Sequence, residues 1–150
     1  MNPPHLSASQ IAELSSVVKA KRLTRVPIDI NKAQLFLNLA IETMSELSHI
    51  KASSVRYDTA YNIAHNVGEA LLAAYGYRTT SGPGQHMAVG EFLEIAFFGG
   101  PIQSASSDFN ALREGRNALH YQGKPIGKST ADFACATAQT LLNGVRNLLL

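Results

Sequence analysis

The strongest constraint on this chain lies between Tyr57 and Tyr75. Tyr57, Ala60, Tyr61, Ala64, Val67, Leu71, Leu72 and Tyr75 recur at three- and four-residue spacing, while Asp58, Asn62, Asn66 and Glu69 fall on the other side. Residues at that spacing share one face of an α-helix. Gly76 stands where helices commonly end. A long helix with a wide apolar face has to be covered by other helices, so the chain is directed toward helix-on-helix packing.

The same pattern continues on both sides. A first helix is predicted from a cap at Ser7 or Ser9, with Ile11, Leu14, Val17 and Val18 at helical spacing, ending before Pro27. A second is predicted from about Asn31, with Leu35, Phe36, Leu39, Ala40, Thr43, Met44 and Leu47 as its inward stripe and Leu37 and Ile41 outside it. "RTTSGPG" reads as a loop, and "QHMAVGEFLEIAFF" resumes a helix broken by Gly99, Gly100 and Pro101. Ser106 or Ser107 is placed to cap the next helix, which runs toward Tyr121. The last helix is predicted from Ser129 or Thr130, with Phe133, Ala134, Thr137, Ala138, Leu141, Leu142, Val145 and Leu148 facing inward. No strand is predicted. The expected fold is all-α, an up-and-down bundle of four to five helices in one domain over residues 1–150, with 1–8 as a flexible lead-in.

Several function classes find no support. The formal net charge is only +2, too small to argue for nucleic-acid binding by itself. The basic run "KAKRLTR" reads as a solvated helix end. A single cysteine, Cys135, excludes an intrachain disulfide and reads as a small buried hydrophobe. No apolar run reaches the roughly 18–20 residues that span a bilayer, and the first residues lack the pattern of a signal peptide. A cytoplasmic location without membrane attachment is expected. No HExxH, phosphate-binding glycine loop or GxSxG elbow occurs, and His5, His49, His65, His86 and His120 are scattered. Neither a metal site nor a cofactor is expected. His65 reads as a satisfied residue at the edge of the core, and His86 as a neutral imidazole at a helix start.

The stretch "ALREGRNALHYQGKP", from Ala111 to Pro125, is different. On a helix, Arg113, Arg116 and His120 fall on one strip with Asn117 at its edge. Gly115 weakens such a helix by roughly 1 kcal/mol relative to alanine, which suggests a bend or a close approach by another part of the chain. Arginine presents a charged fork suited to phosphate, and histidine moves protons near neutral pH. Together they suit metal-free cleavage of a phosphodiester that has its own 2′-hydroxyl nucleophile. The plainer account, favoured by composition alone, pairs the arginines with acids or helix ends and packs the histidine.

The residues also resemble a known family. "SSVRYDTAYNIAHNVGEALLAAYGYRTTSGPGQH" is similar to the long helix, glycine-containing loop and histidine of HEPN-domain proteins, and "LREGRNALHY" falls where that family carries its arginine–histidine signature. The resemblance covers about residues 31–149. The family signature is an arginine, often followed by asparagine, then a histidine after four to six intervening residues. Here Arg116-Asn117 supplies the dipeptide with three residues before His120, whereas Arg113 has the spacing, six residues, but is followed by Glu114. Relatives with a tyrosine two residues after the histidine are known; here Tyr121 follows it directly. The resemblance implies a HEPN-like bundle that forms a homodimer. It implies a metal-independent endoribonuclease with its active site shared across that dimer, in a toxin or defence setting beside a nucleotidyltransferase-type antitoxin. His120, Arg113 and Arg116 would be catalytic, and Asn117 and Tyr121 would contact substrate. The alternative it leaves open is a non-catalytic HEPN module that binds RNA, a nucleotide or a protein partner.

Overall fold

The computed structural model describes residues 1–150. Six helices and two short strands follow in the order α1 (Ala8–Lys19), β1 (Leu23–Arg25), α2 (Ile30–Leu47), α3 (Ser53–Tyr75), β2 (Tyr77–Thr79), α4 (Gln85–Ala96), α5 (Gln103–Gln122) and α6 (Lys128–Leu149). The expected four to five helices are therefore six, and the absence of strands is corrected by a two-stranded antiparallel ribbon. No helix is long and apolar enough to cross a membrane.

Helix α3 is the axis of the core. It is buried on far more than one stripe, with Ile63, Gly68, Ala70, Ala73 and Ala74 joining the residues of its apolar face. Helices α2 and α6 lie against it most extensively, and α4 and α5 cover the remaining sides. Alanines at the contacts, such as Ala60 and Ala64 on α3, Ala33 and Ala40 on α2 and Ala131, Ala134 and Ala138 on α6, let backbones come close. Helix α3 ends at Gly76, whose φ of 78° is a left-handed conformation that glycine adopts without the Cβ penalty.

That reversal sends the chain into β2, which pairs with β1 in the register Leu23↔Thr79, Thr24↔Arg78 and Arg25↔Tyr77. The ribbon exists because Leu23, Tyr77 and Thr79 are buried together. Three residues per strand are too few to give a readable alternation in the sequence. The basic run is split by this arrangement: Arg22 binds Glu91 through two hydrogen bonds of 2.7 and 2.8 Å, and Arg25 lies over the Tyr77 ring.

Two expected faces are corrected. On α2 the buried residues are Ala33, Leu37, Ala40 and Leu47, while Leu35 is 70% exposed and Leu39 is outward too. The helix has apolar residues on several sides, so spacing alone could not say which one meets α3. On α6, Phe133 points outward and Leu149 is buried. Of the two caps expected for α1, Ser7 rather than Ser9 is used, and it exchanges two hydrogen bonds with Gln10 in a capping box. The segment before it lies on the end of α3, where Tyr75 Oη donates to the Pro4 carbonyl at 2.8 Å. Cys135 is half-buried rather than enclosed, with Arg56 Nη2 donating to its Sγ at 3.6 Å.

Candidate functional site

The strip expected on "LREGRNALHY" forms on α5, and the structure explains its glycine. Tyr57 on α3 is buried and its hydroxyl donates to the Leu112 carbonyl at 2.8 Å. A Cβ on Gly115 would collide with that hydroxyl. The glycine therefore admits Tyr57 against the α5 backbone and draws the two helices together. Asp58, the next residue on α3, is thereby brought to the arginine–histidine strip.

Asp58 is the junction of the site. Its Oδ1 lies 2.7 Å from His120 Nε2 and 3.4 Å from Arg116 Nε. His120 is near the C-terminal end of α5. Its side chain remains 43% exposed, and no hydrogen bond reaches its Nδ1. The Arg116 guanidinium lies over the Tyr61 ring at 5.3 Å, and its Nε is buried without a hydrogen bond. Arg113 is held differently, with Nε and Nη2 donating to Asn110 Oδ1 at 3.1 and 2.9 Å. No known family, curated protein or solved structure matches the chain.

Behind the strip, Tyr61 Oη lies 2.7 Å from His86 Nδ1, and the His86 and His65 rings stack with centroids 4.3 Å apart. Asp58, Tyr61 and His65 come from one side of α3, and His86 comes from the first turn of α4. Burial pushes the Tyr61 phenol well above its ordinary range, against the pull of Arg116 and Arg113. Burial, then His86 and Arg116, bring His65 down to about 4. His86 is lowered as well, first by burial and then by Arg116 and Arg113. The result is a neutral aromatic wall, with Tyr61 and His86 hydrogen-bonded to each other, beside a charged strip.

The sequence strip thus divides. Arg113, Arg116 and His120 belong to one surface, with Arg116 and His120 joined by Asp58. Asn117 is half-buried at the edge and Tyr121 is 82% exposed; neither is drawn into the network. Asp58, Tyr61, His65 and His86 are the members that the strip itself did not announce. A signal existed for α3: Asp58, Tyr61 and His65 are spaced by three and four residues, so all three face one neighbour if that neighbour is polar. No three His, Cys, Asp or Glu side chains converge as metal ligands would.

The histidine wall carries a pH dependence. Above about pH 6.5 His65 is neutral in both folded and unfolded chains. As pH falls toward about 4, the unfolded chain takes up a proton that the folded site refuses, so stability declines. The loss from His65 amounts to at most about 3 kcal/mol. His86 adds to it with the same sign, while Glu69, whose carboxyl burial raises, works oppositely by losing stability as pH rises. Urea unfolding from pH 7.5 to 4 is expected to show a clearly shallower pH slope for His65→Gln than for wild type. Parallel slopes would contradict the assignment.

Proposed function

We propose that the chain is a HEPN-like up-and-down helical bundle and a metal-independent endoribonuclease that works as a homodimer. The observation that carries this reading is the bond between Asp58 and His120 Nε2. With Nε2–H donating to the carboxylate, the lone pair of the neutral imidazole sits on the free Nδ1. That atom is the general base for a ribose 2′-hydroxyl. The 2′ oxygen then attacks phosphorus, the bond to the 5′ oxygen breaks, and the products are a 2′,3′-cyclic phosphate and a 5′-hydroxyl. The leaving oxygen takes its proton from a second His120, in its doubly protonated form, brought in by the other copy of the homodimer. Arg113 presents Nη1, which is not engaged by Asn110, to the phosphate oxygens, and Arg116, stacked on Tyr61, adds positive potential from behind. Asn117 and Tyr121 sit beside the strip, where they contact the flanking nucleotides. A toxin or defence role with a nucleotidyltransferase-type antitoxin belongs to the same reading.

A second reading has its own support. Asp58 already engages His120 and Arg116, and Asn110 already engages Arg113, as in a strip kept for binding rather than cutting. A non-catalytic module for RNA, a nucleotide or a protein partner would need no more. The two separate when purified protein is incubated with mixed RNA in the presence of a chelator. Cleavage by wild type that disappears with His120→Ala is expected. RNA that is retained but left intact by both proteins would select the binding module.

A further inference from the structure

A polar cleft opens on the other side of the histidine wall. It measures about 390 Å³ and lies between α2, α3, β2 and the start of α4. Two groups on its α3 wall lack partners. His65 Nε2 is buried without a hydrogen bond. Glu69 is only 12% exposed, and its Oε1 lies 3.8 Å from that nitrogen, beyond hydrogen-bond reach. No other side chain or backbone N–H donates to the Glu69 carboxylate, and burial raises its carboxyl despite the pull of Lys32. His65 is neutral near pH 7, so it gives the carboxylate no countercharge. Buried polar groups are normally satisfied. Of the two, His65 Nε2 is a buried atom left unsatisfied, while the Glu69 carboxylate lines the cleft with no hydrogen bond from the chain and is the group that an outside molecule with donors of its own would meet.

The chemistry of the lining narrows that molecule. An ionised carboxylate only accepts, and its two oxygens suit two parallel N–H donors. Among the RNA bases, guanine alone carries two neighbouring donors on its pairing edge, N1–H and the N2 amino group. Phe36 supplies an aromatic surface at the cleft with Lys32 6.0 Å from its ring centroid, and Arg78 adds a second cation for phosphate. The volume lies within the range of small-molecule sites. His65 joins the cleft to the strip: its ring stacks on His86, which contacts Tyr61, over which Arg116 lies.

We propose that this cleft is a guanine-reading subsite in which Glu69 accepts from N1–H and N2–H, and Lys32 and Arg78 face the nucleotide phosphate. The role of the subsite in setting cleavage preference rests on the α5 strip being the RNA site.

Calorimetric titration of the full chain with 5′-GMP, 5′-AMP, 5′-CMP and 5′-UMP tests it. GMP is expected to bind at least about tenfold tighter than the other three, a difference of about 1.4 kcal/mol. Glu69→Gln is expected to erase that preference, since an amide offers one acceptor oxygen and opposes the second donor with its own N–H. Arg78→Ala, at an exposed position, is expected to weaken all four nucleotides alike. His120→Ala is expected to keep the GMP preference. Equal binding of the four nucleotides, absence of binding, or a preference that survives Glu69→Gln would overturn the subsite. A short RNA with one guanosine extends the test from the free nucleotide to the polymer, where cleavage is expected beside that guanosine. Cleavage that depends on His120 but ignores guanosine would remove the subsite and leave the nuclease. Selective GMP binding by a chain that cuts no RNA would remove the nuclease and leave the subsite.

Discussion

Replacing His120 with alanine is expected to slow RNA cleavage by about 10²–10⁴-fold, the usual contribution of a positioned general base. The loss should appear in the rate at saturating RNA more than in affinity, because the arginines remain. The isosteric change Asp58→Asn separates positioning from simple presence of a histidine. The amide that replaces the carboxylate can donate to Nε2, which moves the ring proton to Nδ1 and removes the lone pair from the reacting atom. A clear fall in rate with RNA affinity little altered is expected. Stability should hardly change, since Asp58 and His120 are 30% and 43% exposed and such pairs contribute about 0–1 kcal/mol. An unchanged thermal midpoint together with lost cleavage would mark a positioning role. Full activity in Asp58→Asn would detach Asp58 from the chemistry.

The largest expected effect on stability comes from Gly115→Ala. Helix propensity alone predicts a gain of roughly 1 kcal/mol. Against it stand overpacking, which costs about 1–3 kcal/mol, and disruption of the buried Tyr57–Leu112 hydrogen bond, which costs about 1–3 kcal/mol. The contact decides the sign, because the new Cβ would meet the Tyr57 hydroxyl and Tyr57 is enclosed. A net destabilisation of about 2 kcal/mol is expected, read as a thermal midpoint about 4–8 °C lower. The double variant Tyr57→Phe with Gly115→Ala is expected to lose less than the two single changes together, with a coupling of about 0.5–3 kcal/mol. A more stable Gly115→Ala would show that α3 and α5 do not meet this closely. Because the same approach carries Asp58 to His120, Gly115→Ala should also reduce cleavage.

Much of the architecture is legible because helices write themselves locally. The α3 stripe, the Gly76 stop, a serine cap on α1 and the α5 strip with its Gly-Pro end all follow from spacing, capping and glycine chemistry within a few residues. The three-residue strands are not legible, since they exist through the pairing of Leu23 with Thr79 and Arg25 with Tyr77 across most of the first half of the chain. The face of α2 escapes its own pattern for a related reason. Leu35 and Leu37 are equally apolar, and only the position of α3 selects Leu37 for burial.

The candidate site divides in the same way. The sequence by itself determined that Arg113, Arg116 and His120 share a face, because one helix fixes their spacing. It also marked Gly115 as a place of a bend or a close approach, without deciding between them or naming a visitor. Only the tertiary structure decided that the visitor is Tyr57, that Asp58 rides beside it to hold His120 and Arg116, and that His65 and His86 form a neutral wall behind them. Those contacts join residues far apart in the chain, and their geometry is set by how closely two helix backbones pack, a quantity that no local pattern of residues contains.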